Sequence, residues 1–304
     1  MADSQKIDKT KIKLSIVVLS WNTKELLEQC LKSIPFSVQI IVVDNDSADG
    51  TIPFLDSLNW PNLKVIKNTV NLGFAKGNNL GIKAADGDLV MLLNSDTIVQ
   101  KGAMEKLVQF YIDHEDKNIA FSPLLLNTDK TPQEEYYMRF PNLWQIFFYH
   151  HPLWQRIILK TVFKRLIVSR LENNSEIDQL PGTAMVVPKD VWQKVGLLDE
   201  DYQFLYEDVD WSWRAKKKGV KLLLAAESKI VHLGGGSWKK KIRMNCFAFY
   251  CQFFASLLLF VQKNYGAKKL KQFKTALVIN FFLQGKFKLA GYFLTHKDQI
   301  ELWV

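Results

Sequence analysis

LSIVVLSWNTKELLEQCLKSIPFSVQIIVVDNDSADGT, residues 14–51, holds two short apolar runs separated by a segment of a different period. LSIVVLS (14–20) is apolar and branched almost throughout, the pattern of a strand buried on both faces of a parallel sheet. Leu26, Leu27, Cys30, Leu31 and Ile34 then recur at helical spacing. Asn22 and Glu25 are placed as a capping box at the start of that helix, and Pro35 closes it. A second buried strand (39–43) ends in Asp44, Asn45 and Asp46, and Asp49-Gly50-Thr51 turns the chain into another helix.

The same rhythm continues outward. LKVIKN (63–68) reads as a third strand, NLGFAKGNNLGIKAA (71–85) as a glycine-punctuated loop entering a helix, and DLVMLLNSD (88–96) as a fourth strand with a polar end. This alternation implies right-handed βαβ units and a Rossmann-like, mostly parallel sheet flanked by helices. Ligands of such sheets bind outside the carboxyl ends of the strands. Two of those ends are acidic here, at Asp44 and Asp96.

Beyond the fourth strand the character changes. Residues 136–170 are aromatic and basic, broken by Pro141 and Pro152, and read as short helices or a flap able to touch a membrane. LPGTAMVVPKDVWQKVGLLDE (180–200) returns to a strand and a short helix. FLYEDVDWSWRAKKKG (204–219) follows, then a strand LLLAA (222–226) and IVHLGGGS (230–237). Within 204–219, Glu207, Asp208 and Asp210 sit among aromatics that normally pack inside, whereas carboxylates normally stay in water.

At 304 residues the chain suits one large domain or two small ones, and 48% hydrophobic with 23% charged residues is ordinary for a globular protein. Three cysteines without a spaced pattern fit a reducing compartment. The polar start MADSQKIDKTKIK has no apolar core, so no signal peptide is expected. No uninterrupted apolar run reaches the length of a spanning helix.

The net charge of +9 is concentrated: residues 239–304 hold twelve Lys or Arg against two Asp or Glu, leaving 28 basic and 29 acidic residues in 1–238. Basic patches alternating with aliphatic stretches, such as FAFYCQFFASLLLFVQ (247–262), suit a helix lying on an anionic membrane surface better than nucleic acid. A core helix covering the sheet is the alternative reading. The expected organisation is a polar tail (1–12), a catalytic domain (13–238, with an insertion at about 136–175) and a basic amphipathic helical region (239–304).

Asn94-Ser95-Asp96 can hold Mg²⁺ or Mn²⁺, hard cations that take oxygen ligands and share them with diphosphates. A strand-ending Asx turn is the plain alternative. Asp44 at a neighbouring strand end and His232 downstream, a potential nitrogen ligand, favour the site.

SIVVLSWN, IIVVDNDSADGT, NLGFAKGNNLGI, LLNSD, LPGTAMVVPKDVWQKVGLLDE, FLYEDVDWSWRAKKKG and IVHLGGGS occur in one order. Together, over roughly residues 13–237, they resemble the inverting family 2 glycosyltransferases of GT-A fold, with a likeness to rhamnosyltransferase-like members that build bacterial surface polysaccharides. The resemblance implies a nucleoside site at Ser20, Asn22, Asp44 and Asp46. It implies a nucleotide-side loop at Asn71, Gly73 and Asn78, continued at Asn94 and Ser95. It places metal ligands at Asp96 and His232, although the usual first carboxylate of the metal motif is here the amide of Asn94. It implies Asp208 as the base that takes a proton from an acceptor hydroxyl. Gly182, Thr183, Tyr206, Glu207, Asp210 and Trp211 become acceptor-side residues, with Arg214 one turn from Asp210 and placed to pair with it.

The implied partners are a dTDP-, UDP- or GDP-linked sugar donor and a saccharide or lipid-linked acceptor. The implied location is cytoplasmic, peripheral at the inner face of the membrane. Two other readings fit these residues less well. A nucleotidyltransferase lacks its glycine-rich loop here, and a non-catalytic, membrane-associated module for nucleotide sugars or glycans would have no use for Asp96 and Asp208.

Overall fold

A computed structural model describes residues 12–35, 37–203, 205–234 and 246–295. The polar tail apart from Ile12, residue Phe204, the end of the 230–237 segment from Gly235 onward, and the basic run 239–243 lie outside the described residues.

Four strands appear where the apolar runs predict them: β1 (Leu14–Ser20), β2 (Gln39–Asp44), β3 (Leu63–Lys67) and β4 (Leu89–Asn94), all paired in parallel. Their connecting helices are α1 (Lys24–Ser33), α2 (Thr51–Ser57) and α3 (Gly73–Ala84). β5 (Thr97–Val99), α4 (Ala103–Asp113), β6 (Ile119–Leu126), β7 (Ala184–Pro188), α6 (Lys189–Val195), α7 (Glu207–Lys217) and β8 (Lys221–His232) extend the sheet and its cover, with a short α5 (Pro152–Ile158) in the insertion. The eight strands run β3-β2-β1-β4-β7-β6-β8-β5. β7 enters antiparallel to both β4 and β6, and β5 antiparallel to β8, so the parallel character belongs to the β3-β2-β1-β4 half and to β6–β8.

Local chemistry explains several details. The capping expected of Asn22 is done differently. The N-cap position is Thr23, the amide of Lys24 donates to Asp49 Oδ2 at 2.8 Å, and Asn22 Oδ1 accepts from the amide of Ala48 at 2.8 Å. The loop after β2 thus caps the helix after β1. Gly77 and Gly81 let α3 lie close against β1: a Cβ there would fall 2.4 Å from Leu19 Cδ1 and 2.2 Å from Val17 Cγ1, far inside contact distance. The strand read as LLLAA continues to His232, with a register shift opposite Pro123, whose ring cannot donate to the ladder.

Two apolar clusters result. One lies between the sheet and its helices. The other is built by α8 (Cys246–Tyr265), α9 (Ala267–Leu283) and α10 (Phe287–Thr295), together with Ile146 of the insertion and Tyr202, Tyr206, Val209 and Trp213 around α7. Residues 247–262, read from the sequence as a membrane-surface helix or a core helix on the sheet, lie in α8, whose inner face packs in this second cluster against α7, α9 and α10. α8 is long and apolar enough to span a bilayer, but Phe254, Leu257, Leu258, Phe260 and Val261 are all buried in the second cluster. Burying that face against α7 removes from water the surface a membrane would otherwise cover. Lys263 pins the arrangement, pairing with Asp199 and Asp201 at 2.6 Å each.

Candidate active site

The carboxyl ends of β1, β2 and β4 form one floor, because register sets Ser20 beside Asp44 and Leu19 beside Asn94. A cavity of about 290 Å³ opens above it. Ten of the residues singled out in the sequence line it: Asn71, Gly73, Asn94, Ser95, Asp96, Gly182, Thr183, Glu207, Asp208 and His232.

Topology alone brings His232 to Asp96. β5 pairs antiparallel with β8, opposing Thr97 to His232, and the Leu233 amide donates to the Asp96 carbonyl at 2.9 Å. His232 Nε2 then lies 3.2 Å from Asp96 Oδ1. The other ring nitrogen, Nδ1, is 3.0 Å from Gln133 Oε1. Gln133 donates its amide hydrogens to the His232 carbonyl at 2.9 Å and to Asn127 Oδ1 at 3.0 Å, which fixes its oxygen toward the ring. Nδ1 therefore donates to Gln133, and Nε2 and Asp96 Oδ1 face one another at a distance at which both can ligate one cation. A divalent cation suits that pair: one carboxylate, one imidazole held in a single tautomer by an outer hydrogen bond, and room for diphosphate oxygens. Asn94 turns its amide toward Thr183 Oγ1 at 3.4 Å. Among the described residues no third acidic, histidine or cysteine side chain joins Asp96 and His232.

The same cavity is lined by Glu207 and Asp208 at the start of α7. Leu205 and Tyr206 precede them with φ of 59° and 75°, a left-handed turn costly for side-chain-bearing residues and typical of places where function holds the strain. Asp208 Oδ2 accepts from the Gly182 amide at 2.8 Å and Oδ1 from the Val209 amide at 2.8 Å. Burial raises the Asp208 pKa against those two hydrogen bonds. Glu207 is 3% exposed, and its Oε2 has no partner. Burial first, and the adjacent Asp208 charge second, push its carboxyl up to about 8. Two carboxyls of unequal environment side by side favour one charged and one neutral near pH 7.

That pair carries a stability signature. From the ordinary Glu value of 4.5 up to about 8, the folded chain keeps a proton that the unfolded chain has released, so stability falls as pH rises through that window. Glu207→Gln removes the effect. The variant is expected to gain a few kcal/mol over the parent at pH 8, at about 1.4 kcal/mol per decade of proton concentration, and nothing below pH 4.5. Denaturant melts at the two pH values measure it, and an equal difference at both would refute the shifted carboxyl.

Other expected residues sit elsewhere. Trp211 is 0% exposed, packs on Trp192 and donates Nε1–H to the Gly196 carbonyl at 2.8 Å, so it has no face for a sugar. Asp210 is taken up by Arg214 Nε at 2.7 Å, the pairing anticipated, and by Asn264 Nδ2 at 2.9 Å, joining α7 to α8. Tyr206 packs against Phe253 and Phe260 in the second cluster. The aromatics around the acidic triplet thus serve mainly to dock α8. Ser20 is buried beside Thr23, and Asn78 bonds the Phe74 carbonyl within α3. Asn22 and the exposed Asp46, both at positive φ, shape the two loops after β1 and β2. Asp44 is buried at the β2 end, with Oδ2 on the Ser47 amide at 2.9 Å and Oδ1 unpartnered.

Sequence reasoning did not find Trp21, Thr23, Asn45, Phe74, Tyr136, Gln203 and Leu205 in the cavity wall. Trp21, a large aromatic directly after a strand end, carried a legible signal. Asn45 organises the 68–73 loop, receiving Asn68 Nδ2 at 2.8 Å and donating to the Gly73 carbonyl at 3.0 Å. Tyr136 meets His232 edge-on at 5.1 Å, and burial with the Asp96 charge raises its phenol pKa. Nothing local marks it, or Gln133, for the site.

Comparison with known proteins identifies the family and the fold. The sequence profile of Glycosyl transferase family 2 matches residues 15–167. The chain is 22% identical over 215 residues to the low-salt glycan biosynthesis hexosyltransferase Agl10 of Haloferax volcanii, covering 69% of this chain and 63% of that protein. It is 25% identical over 237 residues to the N-acetylglucosaminyl-diphospho-decaprenol L-rhamnosyltransferase of Mycobacterium tuberculosis, covering 72% of this chain and 75% of that one. Among solved structures, S. aureus TarS 1–349 with UDP superposes with a TM-score of 0.53 at 15% identity, over 94% of this chain and 76% of that one. The mannosyltransferase PcManGT of Pyrobaculum calidifontis, with GDP-Man and Mn²⁺, gives 0.54 at 14% identity, over 94% and 75%. The fold is that of the GT-A glycosyltransferases.

Proposed function

The chain belongs to glycosyl transferase family 2, and from that premise we propose that it is an inverting transferase moving a hexosyl or rhamnosyl group from a nucleotide-diphosphate sugar to a hydroxyl. The acceptor is a saccharide or lipid-linked saccharide in surface-polysaccharide synthesis, met from the cytoplasmic side of the membrane. The observation that carries this reading is that Asp96, His232, Glu207 and Asp208 line one cavity at the carboxyl ends of the strands.

In this reading Asp44 receives a hydrogen bond from the nucleoside at its unpartnered Oδ1, and the Asn71–Gly73 loop closes beside the nucleotide. Asp96 and His232 would hold Mg²⁺ or Mn²⁺, which would supply positive charge to the departing diphosphate. Asp208 takes the acceptor proton as the hydroxyl attacks the anomeric carbon from the face away from the diphosphate. Its two backbone hydrogen bonds aim the carboxylate, and its partial burial makes it a stronger base than an exposed Asp. Neutral Glu207 next to it keeps a second negative charge away. Asn94 and Thr183, which line the same cavity, border the donor.

Support for a lipid-linked acceptor comes from the Mycobacterium relative, whose described substrate is a diphospho-decaprenol, and support for the cation from the Mn²⁺ complex of the structural neighbour. The test is release of nucleoside diphosphate from dTDP-, UDP- and GDP-sugars with Mn²⁺, beside a thermal-shift screen of the same compounds. One nucleotide sugar is expected to be turned over and to raise Tm above the rest. Selective Tm elevation without turnover for any donor would instead favour a binding module.

A further inference from the structure

We propose that the chain docks on an anionic lipid surface through the corner between α9 and α10 together with the first half of the insertion, rather than through α8. Six large apolar side chains stand in water there. Trp144, Leu153 and Trp154 on the insertion, and Phe282, Leu283 and Phe287 at the helix corner, are each between 46% and 68% exposed.

These two sequence-distant segments form one surface. Gln284, between the exposed Leu283 and Phe287, donates Nε2–H to the His150 carbonyl at 3.0 Å, two residues before α5 begins. Phe148 stacks on Trp144 at 5.4 Å and meets Trp154 edge-on at 6.1 Å, while Phe282 lies 5.8 Å from Phe287. His150 in turn rests on Phe253 and Phe254 of α8, so the buried cluster supports the exposed corner from behind.

Charge selects the occupant. Residues 139–170 contain six Lys or Arg and no Asp or Glu, and residues 267–295 contain six Lys and no Asp or Glu. A second copy of the chain would bring like charge against like charge. An anionic headgroup layer offers the opposite sign to the basic groups and an apolar boundary to the aromatic and aliphatic ones, the division that interfacial segments use. The two exposed tryptophans, Trp144 and Trp154, are the side-chain type enriched at the headgroup level.

The surface also has a connection to the cavity. The insertion begins next to Tyr136, which lines it, and Phe140 packs edge-on against Trp213 of α7 at 4.9 Å. This assignment deepens the reading of a lipid-linked acceptor and rests on it for its purpose, not for its test.

The experiment is co-sedimentation of the full chain with vesicles of phosphatidylcholine alone and of phosphatidylcholine with phosphatidylglycerol, at low and high salt. The Trp154→Glu/Leu283→Glu double variant is run beside the parent, with Tm and donor hydrolysis in free solution recorded for both. Parent binding to the anionic vesicles, weakened by salt, is expected, with at least about tenfold weaker binding by the variant and unchanged Tm and donor hydrolysis. No anionic-vesicle binding by the parent, equal binding by the variant, or a dimer in solution that the variant dissociates would each overturn the dock. Donor hydrolysis reports the active-site reading separately, so either proposal fails without the other. Should the double variant lose Tm, the single Leu283→Glu change is read in the same way.

Discussion

Asp208→Asn is expected to lower kcat by about 10²–10⁴-fold, the usual contribution of a general base, while leaving donor affinity unchanged. The carboxylate stands against the Gly182 and Val209 amides, both donors, and Glu207 beside it remains neutral near pH 7. An amide cannot take a proton from the acceptor hydroxyl. It must also turn its NH₂ toward one of those two donors, so a loss of about 1–3 kcal/mol of stability is expected as well. The two effects separate: the kinetic loss persists at temperatures where the variant is fully folded, and nucleotide titration reads an intact donor site. The parent's kcat/KM should rise across a pH range above that of an ordinary aspartate, because burial raises the Asp208 pKa. A kcat within about tenfold of the parent, or a fall in nucleotide affinity of the same size as the fall in kcat, would remove Asp208 from the role of base.

Asp96→Ala is expected to be nearly as damaging, because a cation at a developing diphosphate charge stabilises the transition state by several kcal/mol, a loss of about 10²–10⁴-fold in rate. Asp96 stands 3.2 Å from His232 Nε2, and among the described residues no third acidic, histidine or cysteine side chain joins the pair, so its removal takes away the one anionic ligand proposed for the cation. Activity of the parent should vanish in a chelator and return with Mn²⁺ or Mg²⁺. A readout independent of turnover is the extra Tm that Mn²⁺ adds in the presence of nucleoside diphosphate, present in the parent and lost in the variant. Full parental activity in a chelator would take the cation out of the mechanism.

How legible the molecule is from its sequence differs along the chain. β1, β2 and β4 are almost wholly buried apolar runs, and β3, a partly exposed strand at the sheet edge, still stands between turn signals, so a pattern confined to a few neighbours identifies each. Residues 97–135 receive no assignment from the sequence, although they supply β5, α4 and β6. β6 carries Ser122 and Pro123 in its middle, which blur an otherwise apolar run. The acidic triplet illustrates the limit best. Its three carboxylates are adjacent in sequence, yet only Glu207 and Asp208 reach the cavity, since α7 turns Asp210 back toward Arg214 and Asn264. Trp211, on the same turn, is spent on Trp192.

The alternation of strand and helix, the polar strand ends at residues 44 and 94–96, and the excess of positive charge toward the C-terminus are decided by the sequence alone, because each depends on period or composition over a few consecutive residues. Only the tertiary structure brings His232 to Asp96, gives Gln133 its hold on the imidazole, desolvates Glu207, and hides α8 while exposing the corner beyond it. Those outcomes depend on strand register and on which apolar face meets which, contacts between residues many tens of positions apart that no local pattern encodes.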